Sequence, residues 1–186
     1  MAEPIHDKIK RSLHAAEELY HRLVLLVGET GSGKTGVLRD VAKEFGASVI
    51  NVNLALSSEL LELTAKQRSL RLPGILAEAV ARGEERGESN SSVPYPSSLA
   101  PAVLDNIEIL FDKDLKQDPL RLLQGISRNR AVVASWNGTM TSGRLLYAET
   151  GHPEYRSYDS IDALIVGMDG KATVDLAKNN REAGQA

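Results

Sequence analysis

The chain contains no cysteine. Disulfide bonds, thiolate nucleophiles and cysteine-ligated metal centres are therefore excluded, and the composition suits a reducing cytosol. No apolar run approaches the roughly 18 residues that a membrane-spanning helix needs. The N-terminal stretch MAEPIHDKIKRSLH has mixed charge and lacks the hydrophobic centre of a signal peptide. We therefore expect a cytoplasmic protein that does not enter a membrane.

The chain lacks an excess of positive charge, since its 22 Lys and Arg residues are outnumbered by 25 Asp and Glu residues. The formal net charge is −3 and the isoelectric point is about 5.8. Because non-specific DNA binding depends mainly on neutralising phosphates, this balance argues against a strong sequence-independent DNA clamp. Direct contact with DNA through a local basic strip stays open. With 42% hydrophobic and 25% charged residues, the 186-residue chain has the composition of one ordinary soluble domain.

Short apolar segments alternate with helical patterns along the chain. The segments that read as strands are residues 23–27, 47–52, 102–104, 131–136 and 161–168. Because such alternation is typical of parallel sheets with right-handed crossovers, we predict an α/β fold with a central parallel five-stranded sheet flanked by helices. Residues 1–22 are predicted to form an amphipathic helix packed on this core, since their apolar residues recur at spacings of three and four.

The remaining boundaries follow from turn and cap signals. Residues 23–178 are assigned to one domain and residues 179–186 to a flexible tail. Residues 83–98 are polar and rich in Gly, Ser and Pro, which predicts a mobile surface loop. Ser57 or Ser58 is expected to cap one helix, and Pro73 to start the next. No C-terminal helical lid is evident after the last predicted strand.

One glycine-rich segment lies between the first strand and the helix that follows it. Its residues are Gly28, Glu29, Thr30, Gly31, Ser32, Gly33, Lys34 and Thr35, followed by Gly36. The spacing fits the phosphate-loop pattern G-x-x-x-x-G-K-[ST], in which backbone N–H groups and a helix N-terminus surround a phosphate. Lys34 would reach the β- and γ-phosphates and Thr35 would bind Mg²⁺. A glycine-rich turn with an incidental lysine is the alternative, but the strand, loop and helix follow the required order.

Acidic residues follow the third predicted strand. Asp105 at its end is the candidate that would hold Mg²⁺ with Thr35, and Asp112 is the alternative acid. Many ATPases with a phosphate loop have a glutamate directly after that aspartate, and this glutamate acts as the base for the attacking water. Here the residue is Asn106, which can position water but cannot take its proton. Glu108 is either that base or a solvated residue.

Polar residues near the fourth strand complete the candidate set. Asn137, at the end of the strand, would hydrogen-bond the γ-phosphate or the attacking water, or would simply form an Asn-Gly turn. Arg128 and Arg130 precede the strand. In an oligomer, either arginine could reach the γ-phosphate bound to a neighbouring copy. Without an oligomer both are ordinary surface residues.

Several stretches in fixed order resemble a known family. The segments GETGSGKT, LDNIEILF, DPLRLLQGISRNRAVVASWNG and YAETGHPEYRSY together resemble the BrxF-type P-loop proteins of type III BREX phage-exclusion systems. The likeness runs from about Leu23 to Tyr158. It implies an AAA+-like core, ATP with Mg²⁺ as cofactors, and a role beside other BREX defence proteins. It also implies Walker A roles for Lys34 and Thr35, a Walker B role for Asp105 and a sensor role for Asn137.

The phosphate-loop pattern predicts a nucleotide-binding protein, and the resemblance implies an ATP-binding, ATP-hydrolysing subunit of an anti-phage defence system that forms a homo-oligomer. Its nucleotide state would control assembly or a DNA-linked activity. Because Asn106 replaces the usual glutamate, the alternative is a catalytically weak structural or regulatory module. A phosphotransferase would need an acceptor pocket and a lid of arginines, and the sequence indicates neither.

Overall fold

The computed structural model describes residues 3–85, 100–170 and 173–174. Its helices are α1 (Ile5–Ala16), α2 (Lys34–Phe45), α3 (Val52–Leu61), α4 (Ala65–Glu85) and α5 (Pro119–Ile126), with short 3-10 helices at Glu108–Phe111 and Lys113–Leu115. Its strands are β1 (Leu23–Gly28), β2 (Val49–Asn51), β3 (Ala102–Asp105), β4 (Val132–Thr141), β5 (Arg144–Tyr147), β6 (Arg156–Tyr158), β7 (Leu164–Gly167) and β8 (Thr173–Val174). The predicted tail and most of the predicted loop, residues 86–98, lie outside the described residues.

The strands form one mostly parallel sheet. Its order is β2-β3-β4-β1-β7-β8, and β5 and β6 branch from β4. The neighbours from β2 to β7 pair in parallel, whereas β8 returns antiparallel to β7. The prediction of an α/β fold with a mostly parallel central sheet flanked by helices is confirmed. Among the described residues, no helix is both long and apolar enough to cross a membrane.

Helices cover both faces of the sheet. Alternate residues of a strand point to opposite faces, so Leu23 and Leu25 join the core beneath α3, α4 and α5. Val24 and Leu26 join the second core, beneath α1 and α2. Both faces of β1 are therefore dry, which explains why its sequence is continuously apolar rather than alternating.

The helices on the β2 side begin earlier than the sequence indicated. Asn51 caps α3 by accepting a hydrogen bond from the Leu54 N–H, so neither Ser57 nor Ser58 is its cap. Helix α4 begins after a capping box, in which Thr64 and Gln67 exchange side-chain and backbone hydrogen bonds. Residues 83–85, predicted to lie in the mobile loop, are the last residues of α4.

Pro73 lies inside α4 and does not start it. A proline in a helix interior cannot donate to the carbonyl four residues earlier, which here belongs to Ser69. That carbonyl instead accepts a hydrogen bond of 2.7 Å from the Gln117 side-chain amide. A side chain from outside the helix thus satisfies the acceptor that the proline leaves, and the helix continues through it.

Strand β4 continues past the Asn137-Gly138 pair that the sequence presented as its end. Residues 138–141 pair antiparallel with β5 across a tight turn at Ser142 and Gly143, whose φ angles are 51° and 77°. Two positive φ angles match the right-handed twist of a hairpin. The hairpin places Tyr147 against Phe111, with ring centroids 3.4 Å apart. Strand β6 pairs antiparallel with β5, so the extension of β4, β5 and β6 form a small antiparallel sheet.

Close packing at Gly138 predicts a large effect of a single methyl group. A Cβ on Gly138 would lie 1.8 Å from the backbone oxygen of Leu146, so we expect Gly138→Ala to separate β4 from β5 and to lower the free energy of unfolding by at least about 2 kcal/mol. The matched control is Gly125→Ala in α5, where no atom lies within 4 Å. It should raise stability by up to about 1 kcal/mol. Urea unfolding measures both, and equal stabilities would contradict the hairpin.

Candidate functional site

The glycine-rich segment forms a loop between β1 and α2. Helix α2 begins directly after Gly33, whose φ of 93° lies in the left-handed region that residues with a Cβ rarely adopt. No side chain caps this helix end, and its first turn contains no acidic residue. The first N–H groups of α2 are therefore left to other acceptors, and the helix dipole adds partial positive charge there.

Lys34 folds back onto this loop and is only 6% exposed. Its ammonium donates to the carbonyl oxygens of Gly28 at 2.8 Å and Glu29 at 2.7 Å, and to the Ser32 hydroxyl at 3.3 Å. Burial lowers the pKa of Lys34, while the nearby charges of Asp105 and Glu108 act in the opposite direction. The loop thus encloses a cation at its centre, held by oxygens that an anion could replace.

Thr35 joins the loop to the end of β3. Its hydroxyl donates to Asp105 Oδ2 at 2.7 Å. The other carboxylate oxygen accepts from the Ser135 hydroxyl at 2.7 Å and from the Asn106 N–H at 2.9 Å. Asp105 is 5% exposed, so these donors take the place of water around a buried charge.

Strand register explains this meeting. Val103 of β3 lies beside Val133 of β4, and both point to the face that α2 covers. Side chains alternate along a strand, so Asp105 and Ser135 point to that same face two residues further on. Thr35 lies in the first turn of α2, level with Asp105 and Ser135 at the ends of these strand segments. The contact therefore follows from the register of two parallel strands.

The Thr35 hydroxyl and the Asp105 carboxylate fit a magnesium ion. Both are hard oxygen donors, and Mg²⁺ usually keeps several waters while taking only one or two protein ligands. Across the described ranges, no group of three or more His, Asp or Glu side chains is arranged to hold a metal by itself. A metal at this position would therefore depend on ligands from water or from a bound phosphate.

Glu108 is held between two amides. Its Oε2 accepts from the Asn53 side-chain N–H at 3.1 Å, and its Oε1 accepts from the Asn137 side-chain N–H. Asn137 lies beside Gly28 in the β1–β4 register, so this pair adjoins the start of the loop. Glu108 begins a 3-10 helix instead of continuing an extended chain, because Asn106 turns the backbone with a φ of 50°.

The other candidates lie elsewhere in the described chain. Asp112 is exposed and caps the second 3-10 helix through the Asp114 N–H. Arg128 donates to the Tyr20 hydroxyl and lies over its ring, and Arg130 donates to the Ala100 carbonyl at 2.8 Å. Both arginines precede β4. They therefore lie at the amino-terminal end of the parallel strands, whereas the loop lies at the carboxyl-terminal end. A contact with a neighbouring copy's phosphates remains a prediction for them.

Two residues of the site escaped the sequence analysis. Asn53 follows β2 and holds Glu108, and its Oδ1 also accepts from the Ile109 N–H at 2.8 Å. Its position just after a strand is the signal that identified Asp105 and Asn137, and it could have been applied here. Ser135 interrupts the apolar run AVVASW, and a hydroxyl inside a buried strand indicates a polar partner.

The contacts of Asp105 predict the effect of losing one donor. Ser135→Ala leaves the buried Oδ1 with the Asn106 N–H as its remaining described donor, so we expect a loss of about 1 kcal/mol in the free energy of unfolding. Ser58→Ala, at an exposed position of α3, is the control and should change it by less than about 0.5 kcal/mol. Thermal or urea unfolding measures the difference, and an unaffected Ser135→Ala protein would argue against the bond.

Comparison with known proteins adds no relative. No protein-family model matches the chain, and neither a curated protein nor a solved structure matches it. The functional argument therefore depends on the geometry of the site and on the motifs in the sequence.

Proposed function

We propose that the chain binds ATP with Mg²⁺ in the loop between β1 and α2 and hydrolyses it. The observation that carries this proposal is the 2.7 Å hydrogen bond from Thr35 to Asp105, directly beside the buried Lys34 ammonium. A hydroxyl and a carboxylate from separate elements meet where the phosphate-loop pattern requires a metal site. A glycine-rich turn with an incidental lysine has no reason to produce that meeting.

Phosphate oxygens would replace the loop carbonyls as partners of Lys34. The ammonium is already desolvated, so an anion gains a strong charge-assisted contact there. Negative phosphates would also raise the pKa of Lys34, against the lowering that burial causes. The uncapped N–H groups of α2 provide further donors to the same anion.

Glu108 is the base in this proposal. It adjoins Asn137, which lies beside the first residue of the loop, so a water near the γ-phosphate would be within reach of both side chains. The amide would orient that water and the carboxylate would accept its proton, a division of roles that Asn106 alone could not provide. Asp105 and Thr35 would hold the metal.

The wider role is proposed from the sequence resemblance. By that likeness the protein would be an AAA+-like subunit of a BREX anti-phage system, acting as a homo-oligomer with other defence proteins. ATP in preference to GTP follows from the same likeness. ATP turnover would control assembly or a DNA-linked activity, and Arg128 or Arg130 would complete a neighbour's site.

The second candidate is a nucleotide-dependent structural module without useful turnover. The observation that favours it is the clamp on Glu108, whose two carboxylate oxygens already accept hydrogen bonds from Asn53 and Asn137. A carboxylate held in this way cannot move toward a water without breaking one of these hydrogen bonds. A protein that binds ATP and releases no phosphate at any protein concentration would support this candidate over the first.

Nucleotide binding is tested at Lys34. We expect Lys34→Ala to raise the Kd for Mg-ATP at least about tenfold, because it removes a charge-assisted contact to the phosphates. Lys43→Ala is the control, since Lys43 is an exposed lysine on the same helix. Calorimetric titration of folded protein gives both constants. Equal affinities in the two variants would remove the basis of the proposal.

Catalysis is tested at Glu108. Glu108→Gln keeps the shape of the side chain and removes its basicity, so ATP should still bind while phosphate release falls by about a hundredfold or more. Asp112→Asn is the matched control at the alternative acid and should leave turnover unchanged. Loss of turnover in Asp112→Asn with none in Glu108→Gln would contradict the role of Glu108 as the base.

A further inference from the structure

The outer face of α4 carries small and apolar residues where an exposed helix face is usually polar. Leu70 is 71% exposed, and Gly74, Ala77 and Ala81 follow it on the same face at spacings of four, three and four. These three residues are exposed as well. Apart from the helix itself, no described atom lies within 4 Å of a Cβ built on Gly74. In the described part of the chain, no other element therefore covers the middle of this face.

A cavity of about 680 Å³ adjoins the C-terminal half of this face. It lies between α4 and α5, and its apolar walls come from Leu76, Ala77, Val80, Ala81, Leu122 and Ile126. None of the residues of the phosphate loop lines it. Helices α4 and α5 cover the opposite face of the sheet from α2. The cavity is thus separate from the proposed nucleotide site.

Leu70 and the cavity form a projection and a recess on one surface. Ala81 follows Leu70 by eleven positions, about 16 Å along the helix axis. In an antiparallel pair of α4 helices, Leu70 of each copy would lie over the end of the other copy's cavity that Val80 and Ala81 form. A two-fold axis generates both contacts at once, because residue i of one copy meets residue j of the other and j meets i. The axis would pass near Gly74, whose lack of a side chain lets the two backbones approach closely.

The charges beside this face fit the same antiparallel register. Arg71 and Glu78 are exposed and are seven positions apart, so they lie on the same side of the helix. Neither side chain forms a hydrogen bond or salt bridge with another described residue. With the axis near Gly74, Arg71 of one copy lies opposite Glu78 of the other, and the symmetry repeats the pair. The face therefore complements itself in charge as well as in shape.

We propose that this face of α4 pairs with the same face of a second copy about a two-fold axis near Gly74. Leu70 of each copy fills the cavity between α4 and α5 of the other, and the two pairs of Arg71 with Glu78 flank the axis. The pairing closes at two copies and does not depend on nucleotide binding. It is also distinct from the arginine contact with a neighbour's phosphates that the proposed function includes.

The expected affinity follows from the size of the contact. Helix α4 has 21 residues, a length of about 31 Å, and it provides most of the surface. A contact of this size belongs to the small, transient class of interfaces. We therefore expect a monomer–dimer equilibrium with a dissociation constant of about 1–100 μM.

Sedimentation of the full chain without nucleotide, across that concentration range and up to about fivefold above it, measures the equilibrium. Leu70→Asp brings a carboxylate to an apolar cavity and should raise the dissociation constant about tenfold or more. Leu54→Asp is the matched control. Leu54 is 72% exposed and lies on the other side of α4, beside Ala79 and Gly83, so its substitution should leave the constant unchanged. Circular dichroism verifies that each variant is folded.

Charge reversal tests the register. Arg71→Glu and Glu78→Arg each place like charges against one another in a dimer of identical copies, so each should weaken self-association about threefold or more. A mixture of the two variants restores both ion pairs between unlike copies. We therefore expect the mixture to associate more tightly than either variant alone.

The lack of cysteine in the chain permits a second measurement that needs no destabilising change. Gly74→Cys introduces a single thiol near the axis, where the thiols of two copies would face each other. A disulfide forms only when the two Cα atoms come within about 7 Å, so mild oxidation should link the copies of this variant. Ser58→Cys, at an exposed position of α3, is the control and should not be linked under the same conditions.

Several results would overturn the proposal. A chain that stays monomeric at every concentration would leave the face to another protein, and equal dissociation constants for wild type and Leu70→Asp would place the contact elsewhere. If the mixed charge variants associate no better than either alone, and Gly74→Cys is not linked, the two-fold register is wrong. Failure of ATP binding with retained self-association would affect only the proposed function.

Discussion

The parallel register of β1, β3 and β4 is the constraint on which the candidate site depends. It brings the carboxyl ends of the three strands to the same end of the sheet. There Gly28 lies beside Asn137, and the Ser135 hydroxyl reaches the Asp105 carboxylate. Side chains alternate along a strand, so a slip of one residue would turn Asp105 to the opposite face, away from Thr35. The apolar cores on both faces oppose such a slip, because it would exchange side chains between two closely packed cores and disturb the packing of both.

The core and the site therefore stabilise the same arrangement. Lys34 and Asp105 are nearly as buried as the apolar residues around them, and burial of a charge is costly unless hydrogen bonds replace its water. Carbonyl oxygens surround the lysine, and hydroxyl and amide donors surround the aspartate. An exchange of these partners for phosphate and metal, as proposed above, would keep the charges satisfied and would need little rearrangement of the sheet.

How far the sequence predicts this structure depends on the kind of signal. Long apolar runs and the alternation of strands and helices predicted the sheet. The position of Asp105 and Asn137 at strand ends predicted that they belong to the site, and they contact Thr35 and Glu108 respectively. The start of a helix was predicted wrongly where two local signals for a helix start occur close together in the sequence. Pro73 looks like a helix start, yet the capping box at Thr64 begins the helix earlier and Gln117 satisfies the carbonyl that the proline leaves. That compensating contact spans 48 positions and has no local signature.

The absence of a glutamate at position 106 has a structural reason that the sequence pattern did not reveal. Asn106 adopts a φ of 50°, a left-handed conformation that asparagine tolerates better than glutamate does. The chain turns after Asp105, and Asn53 forms three hydrogen bonds with the segment that follows, residues 106–109. Its N–H donates to the Asn106 carbonyl, its Oδ1 accepts from the Ile109 N–H, and its amide donates to Glu108. The backbone turn at Asn106 places the Glu108 carboxylate beside Asn137. The asparagine at position 106 and the position of the glutamate two residues later therefore depend on each other.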